Sequence, residues 1–392
     1  MNPIISSIAR TPIARFNDVY SPLKAVDLGA IAISGALDRS GLSPESVDEV
    51  IFGHVLQAGQ GQITARQAAV TAGIPMTVPA VTINKVCLSG MTAIQEAANH
   101  IRLGQSTFVV AGGMESMTNA PYVLEGARAG FRMGDKTVVD VMTHDGLFCA
   151  FDSCMMGDSS DRKNDDLHIG RVEQDEWSAQ SHSRAAEATD GGAFTDEIVP
   201  VEVPERRGDP ILVTEDGGIR RSATVESLAA LRPAFNPGGT ITAGNASQIS
   251  DGAAAVVVAD RQAAEAAGMP ILAELVFYGE VAGPDATLHE RTAEALLVSL
   301  KNDWLEAADL DVVEFNEAFA SVALWSARML DIDEAKVNIH GGAVALGHPL
   351  GATGARIVVS LVNALRKTGG TYGGAALCGG GGQGDALIVK MV

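Results

Sequence analysis

Two thiols and an imidazole, Cys87, Cys378 and His348, sit in stretches able to hold a nucleophile beside a proton carrier. Cys87 lies in Asn84-Lys85-Val86-Cys87-Leu88-Ser89-Gly90, a loop running into a helical pattern, where free backbone N–H groups stabilise an anion and lower a thiol's pKa. His348 stands in a glycine-rich run from Gly341 to Gly354, a loop that lets another backbone come close. Cys378 precedes Gly379-Gly380-Gly381-Gly382, whose N–H groups can hold an oxyanion. The run lacks dinucleotide-fingerprint and P-loop spacing. Asn316 opens Asn316-Glu317-Ala318-Phe319 and can orient a water, donate to a developing charge or cap a helix. Each signal has an ordinary structural alternative, since a free cysteine is usually a small buried hydrophobe. Jointly, two thiols without a metal suggest one nucleophile and one acid/base, which suits carbon–carbon bond formation at a thioester better than hydrolysis.

The remaining cysteines, Cys149 and Cys154, are not a CxxC pair. Four cysteines in 392 residues make no disulfide framework, and no paired Cys/His spacing suggests zinc. No apolar run is long enough for a bilayer and the N-terminus lacks a signal-peptide core, so the cytoplasm is expected. Lys and Arg number 28 against 48 Asp and Glu, giving a formal charge of −20, which argues against nucleic-acid binding. With 46% hydrophobic and only 5% aromatic residues, the core must be built from Ala, Val, Ile and Leu. That composition, with 43 glycines, suits a layered α/β protein.

Positioning these groups requires elements that recur along the chain. A helical stretch from Leu28 to Leu37 leads to the strand pattern Val50–His54, and a second from Ala293 to Leu305 leads to Val312–Asn316. Cys87 and His348, 261 residues apart, each precede a helix with apolar residues near the 3.6 period. Those helices lead to buried strands ending in glycines, Phe108–Gly113 and Ala375–Gly380. Two copies of one α/β unit follow, with the Cys87 and His348 loops facing a shared crevice at the strand ends. Residues 119–249 have no counterpart in the second copy and read as an inserted, substrate-binding segment. The division is 1–118 plus 250–269, 119–249, and 270–392.

The segments around Cys87, Asn316, His348 and Cys378 resemble, in order and spacing, the four signatures of the thiolase family. Gly112-Gly113-Met114-Glu115-Ser116-Met117 and Ala243-Gly244-Asn245-Ala246-Ser247 also resemble thiolase segments. Within that family the nearest likeness is to bacterial acetyl-CoA acetyltransferases. The resemblance implies a five-layered αβαβα core from two duplicated halves, a loop domain between them and a homotetramer. It implies acylation of Cys87 with help from His348, and removal of an α-proton by Cys378. The enolate is held by His348 and a water on Asn316, and the oxyanion by the N–H groups of Cys87 and Gly380. Acetyl-CoA, CoA and 3-ketoacyl-CoA are substrates or products, no cofactor is required, and no membrane or nucleic acid takes part. The acidic chain needs a local basic patch for CoA. Arg220 and Ser227 resemble the nucleotide contact region, and Ser247 the pantetheine contact.

Two stretches depart from the family pattern. Met155-Met156-Gly157 stands where short-chain enzymes often have His-Met-Gly, and Gly283-Pro284-Asp285-Ala286-Thr287 lacks a second proline. Both lie where acyl length is sensed, so cleavage of longer 3-ketoacyl chains is carried as the alternative. A condensing synthase of the ketoacyl-synthase type usually has His in place of Cys378. A non-catalytic scaffold would have lost Cys87, His348 or Cys378, and a cysteine hydrolase leaves Cys378 and Asn316 without a task.

Overall fold

The computed structural model describes residues 1–301 and 305–392. The first half is built on β1 (Pro3–Arg10), α1 (Ala25–Ser40), β2 (Glu49–Gly53), α2 (Thr64–Thr71), β3 (Ala80–Ile83), α3 (Ser89–Arg102) and β4 (Phe108–Ser116). After a long excursion carrying α4 (Met156–Asp166) and α5 (Arg171–Asp190), β5 (Ser250–Asp260) returns to the same sheet. The second half comprises β6 (Ala273–Ala282), α6 (His289–Leu300), β7 (Val312–Phe315), α7 (Ala320–Leu330), α8 (Leu350–Thr368), β8 (Tyr372–Gly379) and β9 (Gln383–Met391).

Strand order shows the duplication. The first sheet runs β3-β2-β4-β5-β1, and the second runs β7-β8-β9-β6. In each, a parallel pair (β2 with β4, β7 with β8) is followed by two antiparallel strands. The place of β3 beside β2 is taken in the second half by a single parallel bridge, Val337 to Val313. The sheets touch where Ile4 and Ile5 pair with Glu274 and Ala273.

The layers follow from burial. Every residue of α8 through Leu365 is buried, and α8 packs against α3 between the two sheets. It lies in the interior although it carries Arg356, Ser360 and Asn363, whose side chains find buried partners in Glu314 and Glu197. α1 and α2 cover the outer face of the first sheet, and α6 and α7 that of the second. The result is αβαβα, as expected. Strands covered on both faces read as continuous apolar runs, as in Ala253–Ala259 of β5.

The central helices lie unusually close. A methyl at Gly113 would overlap the Gly351 carbonyl, and one at Gly354 would overlap the backbone of Met91. The excursion is fastened to the core through Arg10 at the end of β1, whose buried guanidinium pairs with Glu197 at 2.6 Å and Asp216 at 2.7 Å.

Several boundaries moved, among them the ends of α1 and the start of β8, and two of the shifts matter. The helix expected over 293–305 spans His289–Leu300, and residues 302–304 fall outside the described residues. The strand expected to end at Gly113 continues to Ser116, so Glu115 is buried at its end. None of the described helices is long and apolar enough to cross a membrane.

Candidate active site

The loop between β3 and α3 carries Cys87 and is held in an unusual shape. Val86 has φ +50°, a conformation a β-branched residue resists. Three hydrogen bonds hold it there. The Val86 N–H donates to Asn84 Oδ1 at 3.1 Å, the Ser89 hydroxyl donates to the Val86 carbonyl at 2.6 Å, and the Lys85 N–H donates to Ser89 Oγ at 2.8 Å. In a trans peptide the carbonyl and the following N–H point opposite ways. Anchoring the Val86 carbonyl on Ser89 therefore turns the Cys87 N–H away from it. Both that N–H and the Gly380 N–H bear on the Cys87 sulfur.

The loop between the short helix Ala343–Leu346 and α8 carries His348. Gly347 takes φ +112°, which only glycine adopts readily, and a Cβ there would collide with Ser250. The His348 N–H donates to the Gln248 carbonyl at 3.0 Å. Its Nδ1 lies 2.6 Å from Thr353 Oγ1, and Thr353 donates its one hydroxyl proton to the Pro349 carbonyl at 3.0 Å. Thr353 can then only accept, so Nδ1 bears the ring hydrogen and Nε2 is bare. That bare Nε2 faces Cys87 Sγ at 3.3 Å. Burial, reinforced by the Arg356 charge, pushes the His348 pKa down to about 3.

Here one expectation is corrected. The helix N-terminus was expected to lower the Cys87 pKa. Burial instead pushes the thiol up to about 12, with Cys378 adding to the rise, and the Gly380 and Cys87 N–H groups offset only part of it. Desolvation wins because Cys87 is 4% exposed and lies two residues before α3 begins. At neutral pH the resting pair is thus a neutral thiol donating to a neutral imidazole.

Cys378 lies near the end of β8, close enough for its sulfur to act on that of Cys87. Burial pushes its thiol up to about 12, and the buried Thr292 hydroxyl of α6 opposes the rise. Asn316 follows β7; its Nδ2 lies 3.5 Å from His348 Nε2, and its buried Oδ1 has no partner. The capping alternative for Asn316 is set aside, since α7 begins at Ala320. Cys87, His348, Cys378, Asn316 and Gly380, drawn from both halves, therefore surround one cleft.

Of the three residues read as CoA contacts, Arg220 and Ser227 make no contact with this cluster, whereas Ser247 borders it, next to Gln248, whose carbonyl accepts the His348 N–H. Arg220 is exposed, with Nη1 3.5 Å from the Ala243 carbonyl. Ser227 is exposed and closes a capping box with Thr224. Ser247 is half-buried and donates its N–H to the Ala318 carbonyl at 3.1 Å. Sequence reasoning missed Thr353 and Glu115. The Glu115 carboxylate accepts N–H bonds from Val55, Leu56 and Gly351 at 3.1, 3.2 and 3.0 Å, tying the α8 N-terminus to the first half. The available signal was a hydroxyl in the first turn of the helix that follows His348; Glu115 gave none beyond being acidic in a buried strand.

Comparison with known proteins agrees with this geometry. The model of the thiolase N-terminal domain matches residues 4–262 and that of the C-terminal domain residues 269–391. A probable acetyl-CoA acetyltransferase of Mycolicibacterium smegmatis is 50% identical over 97% of this chain and 98% of its own length. An acetyl-CoA acetyltransferase of Escherichia coli is 45% identical over 100% and 99%. The crystal structure of the Bacillus anthracis acetyl-CoA acetyltransferase superposes with a TM-score of 0.97 at 39% identity, covering 100% of this chain and 99% of that one. With its duplicated halves, its layers and both domain models in register, the chain belongs to the thiolase family.

Proposed function

We propose that this chain is an acetyl-CoA C-acetyltransferase, joining two acetyl-CoA molecules into acetoacetyl-CoA and cleaving 3-ketoacyl-CoA in reverse, through an acyl group on Cys87. The observation that carries the reading is the 3.3 Å approach of the Cys87 sulfur to the bare Nε2 of His348, with the Cys378 sulfur in the same cleft. As Cys87 attacks the thioester, its proton passes to His348. The tetrahedral oxyanion sits on the Cys87 and Gly380 N–H groups, where one such donor is typically worth about 3–4 kcal/mol. Cys378 gives its proton to the departing CoA sulfur. The acyl-enzyme then holds a Cys378 thiolate and a His348 imidazolium, which balance each other in a buried site. The thiolate takes the α-proton of the second acetyl-CoA. His348, with a water on Asn316, holds the enolate oxygen. The new carbanion attacks the acyl carbon, and the departing Cys87 sulfur recovers its proton from His348. Every group returns to its starting state.

Cys378 belongs to a hydrophobic cluster with Ile241, Leu288 and Phe319, against which Met156 and Phe235 pack, and such crowding favours a short acyl group. Cleavage of longer 3-ketoacyl chains, the alternative, requires these walls to move, and a thiolysis series over chain length decides between them. Arg220, Ser227 and Ser247 are assigned to CoA, and residues 119–249 to the segment that binds it between halves 1–118 plus 250–269 and 270–392. Exposed Tyr122, Leu124, Met133 and Val138 in that segment support a homotetramer, testable by sedimentation. A cytoplasmic setting suits four free cysteines.

The test is Cys378→Ala. The variant is expected to acquire an acetyl group on Cys87, seen by mass, more slowly because the departing CoA sulfur loses its proton donor, while condensation falls about 10²–10⁴-fold. A variant that acylates and still condenses at the parental rate overturns the assignment of Cys378.

A further inference from the structure

The mechanism leaves Cys149 and Cys154 unused, and the fold places them in register. Phe148–Cys149 and Cys154–Met155 form a two-rung antiparallel hairpin in which Cys149 lies directly opposite Cys154. Directly opposed residues share one face of the ladder, with Cα atoms about 4.5–5.5 Å apart. A disulfide requires about 4.4–6.8 Å. The turn between them is four residues long, with Ser153 at φ +53°. The two thiols differ in setting. Cys149 is buried and accepts the Asp152 N–H at 3.4 Å, whereas Cys154 is half-buried and accepts from Arg162 Nη2 at 3.3 Å. Arg162 gives a sulfur anion at Cys154 a positive partner.

The hairpin is part of the cleft wall. Phe151 at its tip packs over Gly381, the residue after Gly380. Cys149 lines a small cavity with Met156, Ser159, Ala286, Leu288 and Gly381. The strand ending at Met155 runs directly into α4, whose first residue, Met156, packs beside Cys378.

We propose that Cys149 and Cys154 are a reversible oxidation site, closed to a disulfide by a peroxide, and that closure slows turnover by fixing the hairpin over the Gly380–Gly381 corner. Cys154 attacks the peroxide: an S–O bond forms, the O–O bond breaks, and hydroxide leaves to become water. Cys149 then attacks the sulfenic sulfur, the S–O bond breaks, and a second water departs. The two thiols lose two hydrogens and the peroxide is reduced to two waters. A dithiol reverses the step. The loss of turnover rests on the function proposed above, whereas formation of the bond does not.

The test is limiting hydrogen peroxide on the full-length protein, read by peptide mass without reduction. The expected product is one species linking Cys149 to Cys154, absent after dithiothreitol and absent in Cys154→Ser. It forms equally in Cys87→Ser, so a failure of the catalytic assignment leaves this arm intact. In the protein with all its cysteines, oxidation is expected to give a several-fold, dithiothreitol-reversible loss of kcat that Cys154→Ser escapes. Free Cys149 and Cys154 after treatment, or a link only between Cys87 and Cys378, overturns the site. An equal loss of kcat in Cys154→Ser overturns its effect on turnover.

Discussion

The loop that carries Cys87 and the loop that carries His348 occupy equivalent places in the two halves, each leading into a central helix, yet they are held by different means. The first forces a valine into the left-handed region and clamps it with Asn84 and Ser89. The second makes its turn with Gly347 and locks its side chain through Thr353. Each is also fastened by a carboxylate from the opposite half. Asp385 of β9 takes Lys85 Nζ at 2.8 Å and Thr92 Oγ1 at 2.8 Å, and Glu115 of β4 takes the Gly351 N–H at 3.0 Å. The difference follows from the work at each loop. The first must aim a backbone N–H as well as a sulfur, so its backbone is constrained. The second must fix which nitrogen of a ring is bare, so its side chain is constrained.

The largest expected effect breaks the comparison outright. Cys87→Ala should remove the acyl-enzyme and lower turnover by at least about 10⁴-fold, whereas His348→Asn should leave slow acylation, with a loss of about 10²–10⁴-fold. Single-turnover mass measurements separate the two, and equal residual acylation would show that the loops do not divide the work this way. Next is Thr353→Val. It keeps shape but removes the acceptor for Nδ1–H, freeing the ring to present a protonated Nε2 to Cys87. A loss of about 10–100-fold in acylation is expected, the cost of about 1–3 kcal/mol for an unmet buried hydrogen bond. Thr353→Ser should restore most of it, and unchanged acylation in the valine variant would refute the tautomer assignment.

A pH series probes the imidazole side. Burial holds His348 at about 3, and His289 and His182 at about 4. These depressed values lie below the unfolded value near 6.5, so between about pH 6.5 and 4 the unfolded chain binds protons that the native one refuses. The contribution of these rings is therefore full above pH 6.5 and falls with acidification, by roughly 1 kcal/mol per pH unit for each group, while the raised Glu314 carboxyl contributes the opposite slope. Denaturant midpoints between pH 7 and 5, compared with those of His289→Gln, isolate one ring; identical slopes in the two proteins would mean that this ring titrates freely. The smallest effect is on stability in Val86→Gly. Relief of about 1–2 kcal/mol of left-handed strain is offset by glycine's unfolded-state entropy of about 0.5–1 kcal/mol together with the lost packing of the half-buried valine against the core. The melting temperature should scarcely move while kcat falls, because the Cys87 N–H loses its fixed aim. Unchanged kcat would show that the strain positions nothing.

Much of this arrangement was legible in the chain. The equivalence of Cys87 and His348 was readable because both precede a helix of 3.6 period and lie in strand–loop–helix–strand units. The gathering of Cys378, Asn316 and Gly380 was readable because each ends a strand pattern of the second unit. What escaped depended on burial. The helix-terminus argument gave the wrong direction for the Cys87 pKa, since nothing local reveals that the loop is sealed by the other half. Glu115 looked like one acidic residue among 48, and its three backbone partners come from stretches about 60 and 240 residues away. Val86 likewise carries no mark of its left-handed backbone, which is imposed by Asn84 and Ser89.

The contact of Gly113 with Gly351, and of Gly354 with Met91, sets how far the two halves stand apart. The reach from sulfur to imidazole is thereby gauged by hydrogen atoms where other residues would carry carbon. One added methyl at that seam would push two intact loops out of range of each other. Neither half can then drift alone: every change in thickness along this line must be answered by its twin, which keeps two copies of an ancient unit bound to a common dimension long after their chemistries have parted.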